Sequence, residues 1–250
     1  MMTRVKTAKE LADQRISGQM NATILGVVAK AITAGITTKD LANIASDELK
    51  KLGGKPTFLG YGGFPDVICI SVNNEVVHGI PTTYILKDGD VISFDFGVTY
   101  NGMITDAARS VIVGDKSTAQ TKKLVQGTLR SLDAGISVLK GGVRVGTIAA
   151  AIEKEMTKHG FGIVRDLVGH GVGHQLHEDP NIPNYGNANT GPILHSGMTI
   201  AIEPMATLGS DAVYTAADGW TILTKDGSLA AHFEDTILVT DDGAEILTRL

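Results

Sequence analysis

Two acidic residues eleven positions apart suggest the first chemistry in this chain: Asp95 and Asp106, in the stretch Val91-Ile-Ser-Phe-Asp95-Phe-Gly-Val-Thr-Tyr100-Asn-Gly-Met-Ile-Thr-Asp106. Asn101-Gly102 is a favoured two-residue turn, so the stretch reads as a β-hairpin. If Tyr100 pairs with Met103, Asp95 faces Ala108, and Asp106 becomes its diagonal neighbour on the same face of the sheet. Diagonal positions keep Cβ atoms roughly 7 Å apart, within reach of a common ion. Ile92, Phe94, Phe96 and Val98 take the opposite face, so Asp95 points away from the aromatic layer. Two acids flanked by apolar residues repel each other and lose hydration unless they are protonated or bind cations. Taken alone, the hairpin is explained equally well by a solvated sheet face.

The second half of the chain repeats the pattern. Ile85-Leu86-x-x-Gly89-x-x-Ile92-x-x-Asp95 is matched, at a constant offset of 108, by Ile193-Leu194-x-x-Gly197-x-x-Ile200-x-x-Glu203. Upstream, His78-Gly79-Ile80-Pro81 echoes His177-Glu178-Asp179-Pro180; downstream, Asp106 with Val111-Ile112-Val113 echoes Glu234 with Ile237-Leu238-Val239. Three echoes in one order indicate an internal duplication, with insertions in the second copy. Glu203 and Glu234 therefore stand where Asp95 and Asp106 stand. Four carboxylates about a pseudo-twofold carry a charge near ~-4, which two divalent cations would neutralise; ions about 3.5 to 4 Å apart make a two-metal hydrolytic site.

Histidine supplies the remaining chemistry. Gly169-His170-Gly171-Val172-Gly173-His174-Gln175-Leu176-His177 packs three imidazoles among three glycines. His170 and His174 have the spacing of a helical zinc pair, but the glycines oppose a helix and the glutamate of that zinc motif is missing. A glycine-rich loop or strand that brings backbone close to a substrate fits better, with one histidine on metal and another beside it. His78 would mirror His177. His159, His195 and His232 read as hydrogen-bonded structural residues, and His174 is left open.

Helices and strands must position these groups. Apolar residues recur at helical spacing from Thr7 to about Ala34, with Gly35 as a stop, and a second helix runs from Thr38 to Gly53-Gly54. Two more are expected at about Ala119 to Ala134 and Val145 to Lys158, the latter closed by Gly160. β-rich blocks follow each helix pair, from about Val67 to Val113 and from about Ile163 to Leu247. The order predicts an α/β fold with pseudo-twofold helix pairs over a curved, mainly antiparallel sheet, the metals on its concave side. With no evident linker, residues 1–250 read as one domain of two halves, about 1–115 and 116–250.

Composition removes other classes. The chain has 250 residues, 43% apolar and 20% charged, with net charge -5 and one cysteine. That excludes a disulfide scaffold, gives no basic footprint for DNA or other nucleic acid, and fits a cytoplasmic protein. No apolar run reaches the roughly 18 to 20 residues of a membrane span, and the charged start is unlike a signal peptide.

The residues resemble a known family. Asp95, Asp106, His170, Glu203 and Glu234 look like the five metal ligands of the pita-bread metallopeptidases, and the surrounding motifs are similar to the type I methionine aminopeptidases. These are Gly79-Ile80-Pro81 after His78, Asp95-Phe96-Gly97, Thr105-Asp106-Ala107-Ala108, Gly169-His170-Gly171-Val172-Gly173, Glu203-Pro204 and Phe233-Glu234-Asp235-Thr236. The resemblance runs over nearly the whole chain. It implies a cytoplasmic hydrolase that removes the initiator methionine from nascent proteins whose second residue is small, acting as a monomer, with the ribosome as a further partner. It also implies that Asp95 binds one metal, Asp106 and Glu234 bridge both, and His170 and Glu203 bind the other. The metal identity stays open among Co, Mn, Fe and Zn. A metal-bridging hydroxide would attack the scissile carbonyl, with Glu203 as proton acceptor and donor, and with His78 and His177 at the scissile amide.

By the same resemblance the methionine pocket is walled by Phe58, Tyr61, Phe64, Cys69, Leu176 and Trp220. Phe58 stands where the family often has cysteine and narrows the pocket; Leu176 stands where an aromatic residue is common and widens it. For Tyr61, Phe64 and Trp220 simple core packing is the lesser alternative beside the metal cluster, and Cys69 is expected to be a buried apolar residue, not a nucleophile. A prolidase would carry a sizeable domain before the catalytic one, and a type II enzyme a long helical insertion. The 20 extra residues between Glu203 and Glu234 are too few for that and include an expected hairpin turn at Asp226-Gly227. A binding protein that had lost catalysis would lack ligands. No zinc-finger or targeting extension is expected before the first helix, and the bulky Met2 predicts that Met1 is retained.

Overall fold

The computed structural model describes residues 2–250, so the expectation for Met1 lies outside the described residues. In chain order the elements are α1 (Ala8–Ala31), α2 (Thr38–Leu52), β1 (Lys55–Pro56), β2 (Cys69–Val72), β3 (Glu75–Val77), β4 (Val91–Tyr100), β5 (Met103–Ile112), α3 (Ala119–Ser137) and α4 (Val145–His159). They continue as β6 (Gly162–Ile163), β7 (Gly169–Gly171), β8 (Glu178–Ile182), β9 (Thr199–Ile202), β10 (Met205–Thr207), β11 (Val213–Thr215), β12 (Ile222–Thr224), β13 (Ala230–His232), β14 (Asp235–Val239) and β15 (Ala244–Ile246).

Local chemistry sets the helix ends. Thr7 and Glu10 close a capping box on α1, and Thr37 with Asp40 does the same on α2, which begins at Thr38 as expected. Gly53 and Gly160 end α2 and α4 in the left-handed conformation, as expected. α1 stops three residues before Ala34, because Gly35 turns away to donate its N–H to the Leu86 carbonyl at 2.9 Å. α3 runs three residues past Ala134 and carries Gly135 inside the helix, where a Cβ would come within 2.8 Å of the Ile152 side chain.

Every strand pairing within the sheets is antiparallel. β4 is flanked by β1, β2 and β5 in one sheet; β15-β14-β9-β7-β8 form the other large one. Two three-stranded sheets, β13-β10-β6 and β11-β12-β3, fill the space between. The hairpin has the expected register, with Tyr100 opposite Met103 and Asp95 opposite Ala108. The turn at Asp226-Gly227 is present, but β12 pairs β3 and β11 while β13 pairs β10, so it joins two sheets and closes no hairpin.

Each helix pair seals one half of the core. Phe94, Phe96, Ile92 and Val98 pack under α1 and α2 with Ile24, Val28 and Leu41; Ile200, Ile202 and Ile237 pack under α3 and α4 with Leu132, Ile148 and Ile152. α1 departs from a simple apolar stripe. Ile16 is exposed, whereas Gln14, Ser17 and Asn21 are fully buried. Their side chains donate to the Ile104, Val98 and Phe96 carbonyls at 2.8, 2.8 and 2.6 Å, fixing α1 to β4 and β5 by polar contacts. Pinned in this way, the hairpin turns Asp95 and Asp106 away from the helices.

Candidate metal centre

The carboxylates of the two halves meet where the large sheets touch. β9 and β14 last pair at Ile202 with Asp235, so Glu203 and Glu234 are the next residues out. An isolated bridge joins Ala108 to Glu234, with N–H···O bonds of 3.2 and 3.0 Å in the two directions. Beside it the Thr236 hydroxyl accepts from the Asp106 N–H and donates to the Asp106 carbonyl, both at 2.8 Å. Arg109 donates to the Glu234 carbonyl at 2.6 Å and to the buried Asp235 carboxylate at 2.7 Å. The backbones carrying Asp106 and Glu234 are thus locked together.

Burial sets the electrostatics. It pushes the Asp106 carboxyl up to about 7, and it pushes Asp95, Glu203 and Glu234 well above the ordinary carboxylate range, with the neighbouring charges adding to each of these three. Asp95 Oδ1, Asp106 Oδ1 and Glu234 Oε1 are buried with no hydrogen-bond partner among the described residues. Orphaned oxygens in a cluster of like charge are what a divalent cation would satisfy. Oxygen donors joined by one imidazole suit Mn, Fe, Co or Zn.

His170 is that imidazole. Its Nδ1–H donates to the Gly171 carbonyl at 2.9 Å, which leaves the Nε2 lone pair toward the acids. Nε2 lies 3.5 Å from Glu203 and 3.9 Å from both Asp106 and Glu234. Burial lowers it to about 3, so it is neutral at pH 7. His177 packs edge-on to His170, ring centres 4.4 Å apart, and its Nδ1 meets the Tyr61 hydroxyl at 2.8 Å. Burial also lowers His177, and His78 falls to about 4 by burial and by the nearness of His177. His78 holds a φ of 59°, a costly conformation for a non-glycine residue. Gly79 explains how it is held: a Cβ there would lie 2.2 Å from the Ile70 carbonyl oxygen, so only glycine lets this segment dock on β2.

One histidine assigned to structure lies at the centre instead. His232 is 1% exposed; its Nε2 is unpartnered among the described residues, 3.5 Å from Glu203 and 4.0 Å from Glu234. Its place two positions before Glu234, on the same face of an extended strand, was the available signal. His174 lies elsewhere, its Nε2 2.7 Å from the Glu10 carboxylate. His159 stacks on Phe161, ring centres 5.2 Å apart.

A cavity of about 290 Å³ opens on this cluster, lined by all five candidate ligands, His78, His177, and all six residues expected around a methionine side chain. Phe58, Phe64, Cys69 and Leu176 form a buried apolar group against which Trp220 packs. Phe64 stands edge-on to both Phe58 and Trp220, with ring centres 6.5 and 5.3 Å apart. The Phe58 ring is seated over Gly97, where a Cβ would come within 2.7 Å of it. Tyr61, expected as a wall, is 44% exposed and forms the rim. Burial, then the charge of Asp95, raises the Cys69 thiol, so no thiolate forms at neutral pH.

Known proteins resemble this chain in sequence and fold. The sequence pattern of metallopeptidase family M24 matches residues 12–241. Methionine aminopeptidase 1 of Bacillus subtilis is 48% identical over 98% of both chains. The crystal structure of a methionine aminopeptidase from Thermotoga maritima superposes with a TM-score of 0.98 at 46% identity, covering 100% of both chains. A prolidase from Pyrococcus furiosus shares the fold alone, with a TM-score of 0.80 at 22% identity; the match covers 98% of this chain and 65% of that one.

Proposed function

The chain belongs to metallopeptidase family M24, and on that premise we propose that Asp95, Asp106, His170, Glu203 and Glu234 hold two divalent cations. Its activity is metal-dependent removal of an N-terminal methionine, and its full-length likeness is to the type I methionine aminopeptidases. The observation that carries the site reading is that four carboxyls, raised by burial, share one cavity with an apolar pocket.

In this reading Asp95 would serve one cation and His170 and Glu203 the other, with Asp106 and Glu234 available to both. Bound there, the cations supply Lewis acidity at the scissile carbonyl and a water acidic enough to attack near neutral pH. Glu203 would take a proton from the attacking water and pass it to the leaving amine. With the Tyr61 hydroxyl as donor to His177 Nδ1, the imidazole proton would stand on Nε2, where it would donate to the scissile amide, with His78 beside it. The methionine side chain fills the space between Phe58, Phe64, Cys69, Leu176 and Trp220, where aromatic edges favour its sulfur.

The natural substrate we infer is a nascent chain with a small second residue, met in the cytosol by a monomer near the ribosome; a free buried Cys69 fits a reducing compartment. Residues 1–250 act as one catalytic domain of two pseudo-symmetric halves. No helix among the described residues is long and apolar enough to cross a membrane. The test is cleavage of Met-Ala-Ser, Met-Leu-Ser and Ala-Pro-Ala by metal-stripped protein before and after adding Co, Mn, Fe or Zn. Metal-restored release from Met-Ala-Ser alone is expected; preference for the proline peptide would overturn the substrate reading.

A further inference from the structure

The loop carrying Leu176 and His177 is held from outside. Between Gly173 and Glu178 its internal backbone bond is Gly173 N–H to the Gln175 carbonyl, at 3.1 Å. The His174 and Gln175 amides donate instead to one oxygen of Glu178, at 2.8 and 3.0 Å. The other Glu178 oxygen faces the Lys6 ammonium at 3.5 Å, and these side chains are 5% and 0% exposed. Lys6 also donates to the Thr3 hydroxyl, the Lys6 N–H to the Gly197 carbonyl at 2.9 Å, and the Thr3 N–H to the Asp179 carbonyl at 2.6 Å. Residues 2–10 therefore form a strap across the loop, with Glu10 meeting His174 at its far end.

Three glycines make the bed for this strap. A Cβ at Gly171 would come within 2.8 Å of the Thr3 Cβ, one at Gly173 within 2.5 Å of the Lys6 Cε, and one at Gly197 within 2.6 Å of the Val5 Cγ1. Burial presses the Lys6 ammonium down against the pull of Glu178; burial would raise Glu178, but the Thr3 hydrogen bond, the Lys6 charge and the two amides hold it below its ordinary value. Apolar substitutes for buried ion pairs commonly fold as well or better, so stability alone does not account for a lysine buried against Gly173, at the start of the loop that carries Leu176 and His177.

We propose that Lys6 and Glu178 are positioning residues for His177: the buried pair fixes the carboxylate that clamps the loop, and so holds the imidazole at the scissile amide. This rests on the reading of His177 given above. The loss on removing the pair should fall mainly on kcat, because His177 acts on charge that develops in the transition state.

The experiment compares metal-loaded Lys6→Met, Glu178→Gln, Lys6→Arg and His177→Ala on Met-Ala-Ser, with Lys6→Met also made in the His177→Ala background. Lys6→Met and Glu178→Gln should lower kcat by about 10- to 100-fold, with KM and bound metal within about threefold, and Lys6→Arg should recover most of the rate. In the His177→Ala background Lys6→Met should cost less than about twofold, since the pair acts through the missing ring. A full additive loss there, or wild-type kcat with only a lowered Tm, overturns the inference. Wild-type kcat in His177→Ala removes the role of His177 itself and the inference with it. Should Lys6→Met fail to fold, Glu178→Gln in both backgrounds decides the same question.

Discussion

The two halves bring the same pair of acids to the same place by different means. In the first, a two-residue turn and an unbroken ladder set Asp95 and Asp106 as diagonal neighbours. In the second, β9 and β14 stop pairing one residue short of Glu203 and Glu234, and four strands, β10 to β13, intervene between the two acids. The first arrangement is local, so its register follows from the turn and the alternation of side chains. The second depends on contacts with the rest of the molecule: the Ala108 bridge, the Thr236 clamp and Arg109. The excursion also has a use, because it delivers Trp220 to the cavity and pairs β12 with β3, directly before His78.

If both halves serve one centre, damage to the acids shared between the cations should be equally severe from either side. Asp106→Asn and Glu234→Gln should each lower kcat on Met-Ala-Ser on the order of 10³-fold, measured at saturating metal. A large gap between the two would show that one half dominates.

The pocket sharpens the comparison at a smaller scale. Phe64→Ala from the first half and Trp220→Ala from the second should each raise KM for methionine peptides roughly tenfold, with less effect on kcat, since each removes a wall that binds ground and transition states alike. His232→Leu should weaken cation affinity by about tenfold, by removing the imidazole that faces Glu203, and calorimetric titration reads this directly.

The smallest effect concerns the metal-free protein. Its buried carboxyls keep protons that the unfolded chain releases near pH 4, so stability is lost as pH rises toward the folded values, about 7 for Asp106, with burial raising Asp95, Glu203 and Glu234 in the same direction. Below about pH 6.5 the buried neutral His78, His170 and His232 act in the opposite sense, because the unfolded chain binds protons that these rings refuse. The clean window is therefore pH 6.5 to 8, across which the Tm of stripped protein should fall by roughly 5 °C. Saturating divalent cation should abolish the fall.

What could be read from the sequence follows the same division. The hairpin register and the ends of α2 and α4 rest on turn residues, caps and side-chain alternation within a few positions of one another. The buried face of α1 was not legible, because Gln14, Ser17 and Asn21 are buried only by virtue of the strand carbonyls they meet. His232 was missed although it stands two positions before Glu234, because its approach to Glu203 forms only when β10 and β5 close around it. The five candidate ligands, His78, His177 and the six expected pocket residues, by contrast, all line one cavity, with Tyr61 displaced to its rim.

The most direct test of two cations shared between the halves is calorimetric titration of Co(II) into metal-stripped protein, with Asp95→Asn, Glu203→Gln and Glu234→Gln in parallel. The account predicts two equivalents for the parent chain, loss of one in Asp95→Asn, loss of the other in Glu203→Gln, and weakening of both in Glu234→Gln. A single equivalent in the parent chain, or two undisturbed sites in Glu234→Gln, would contradict it.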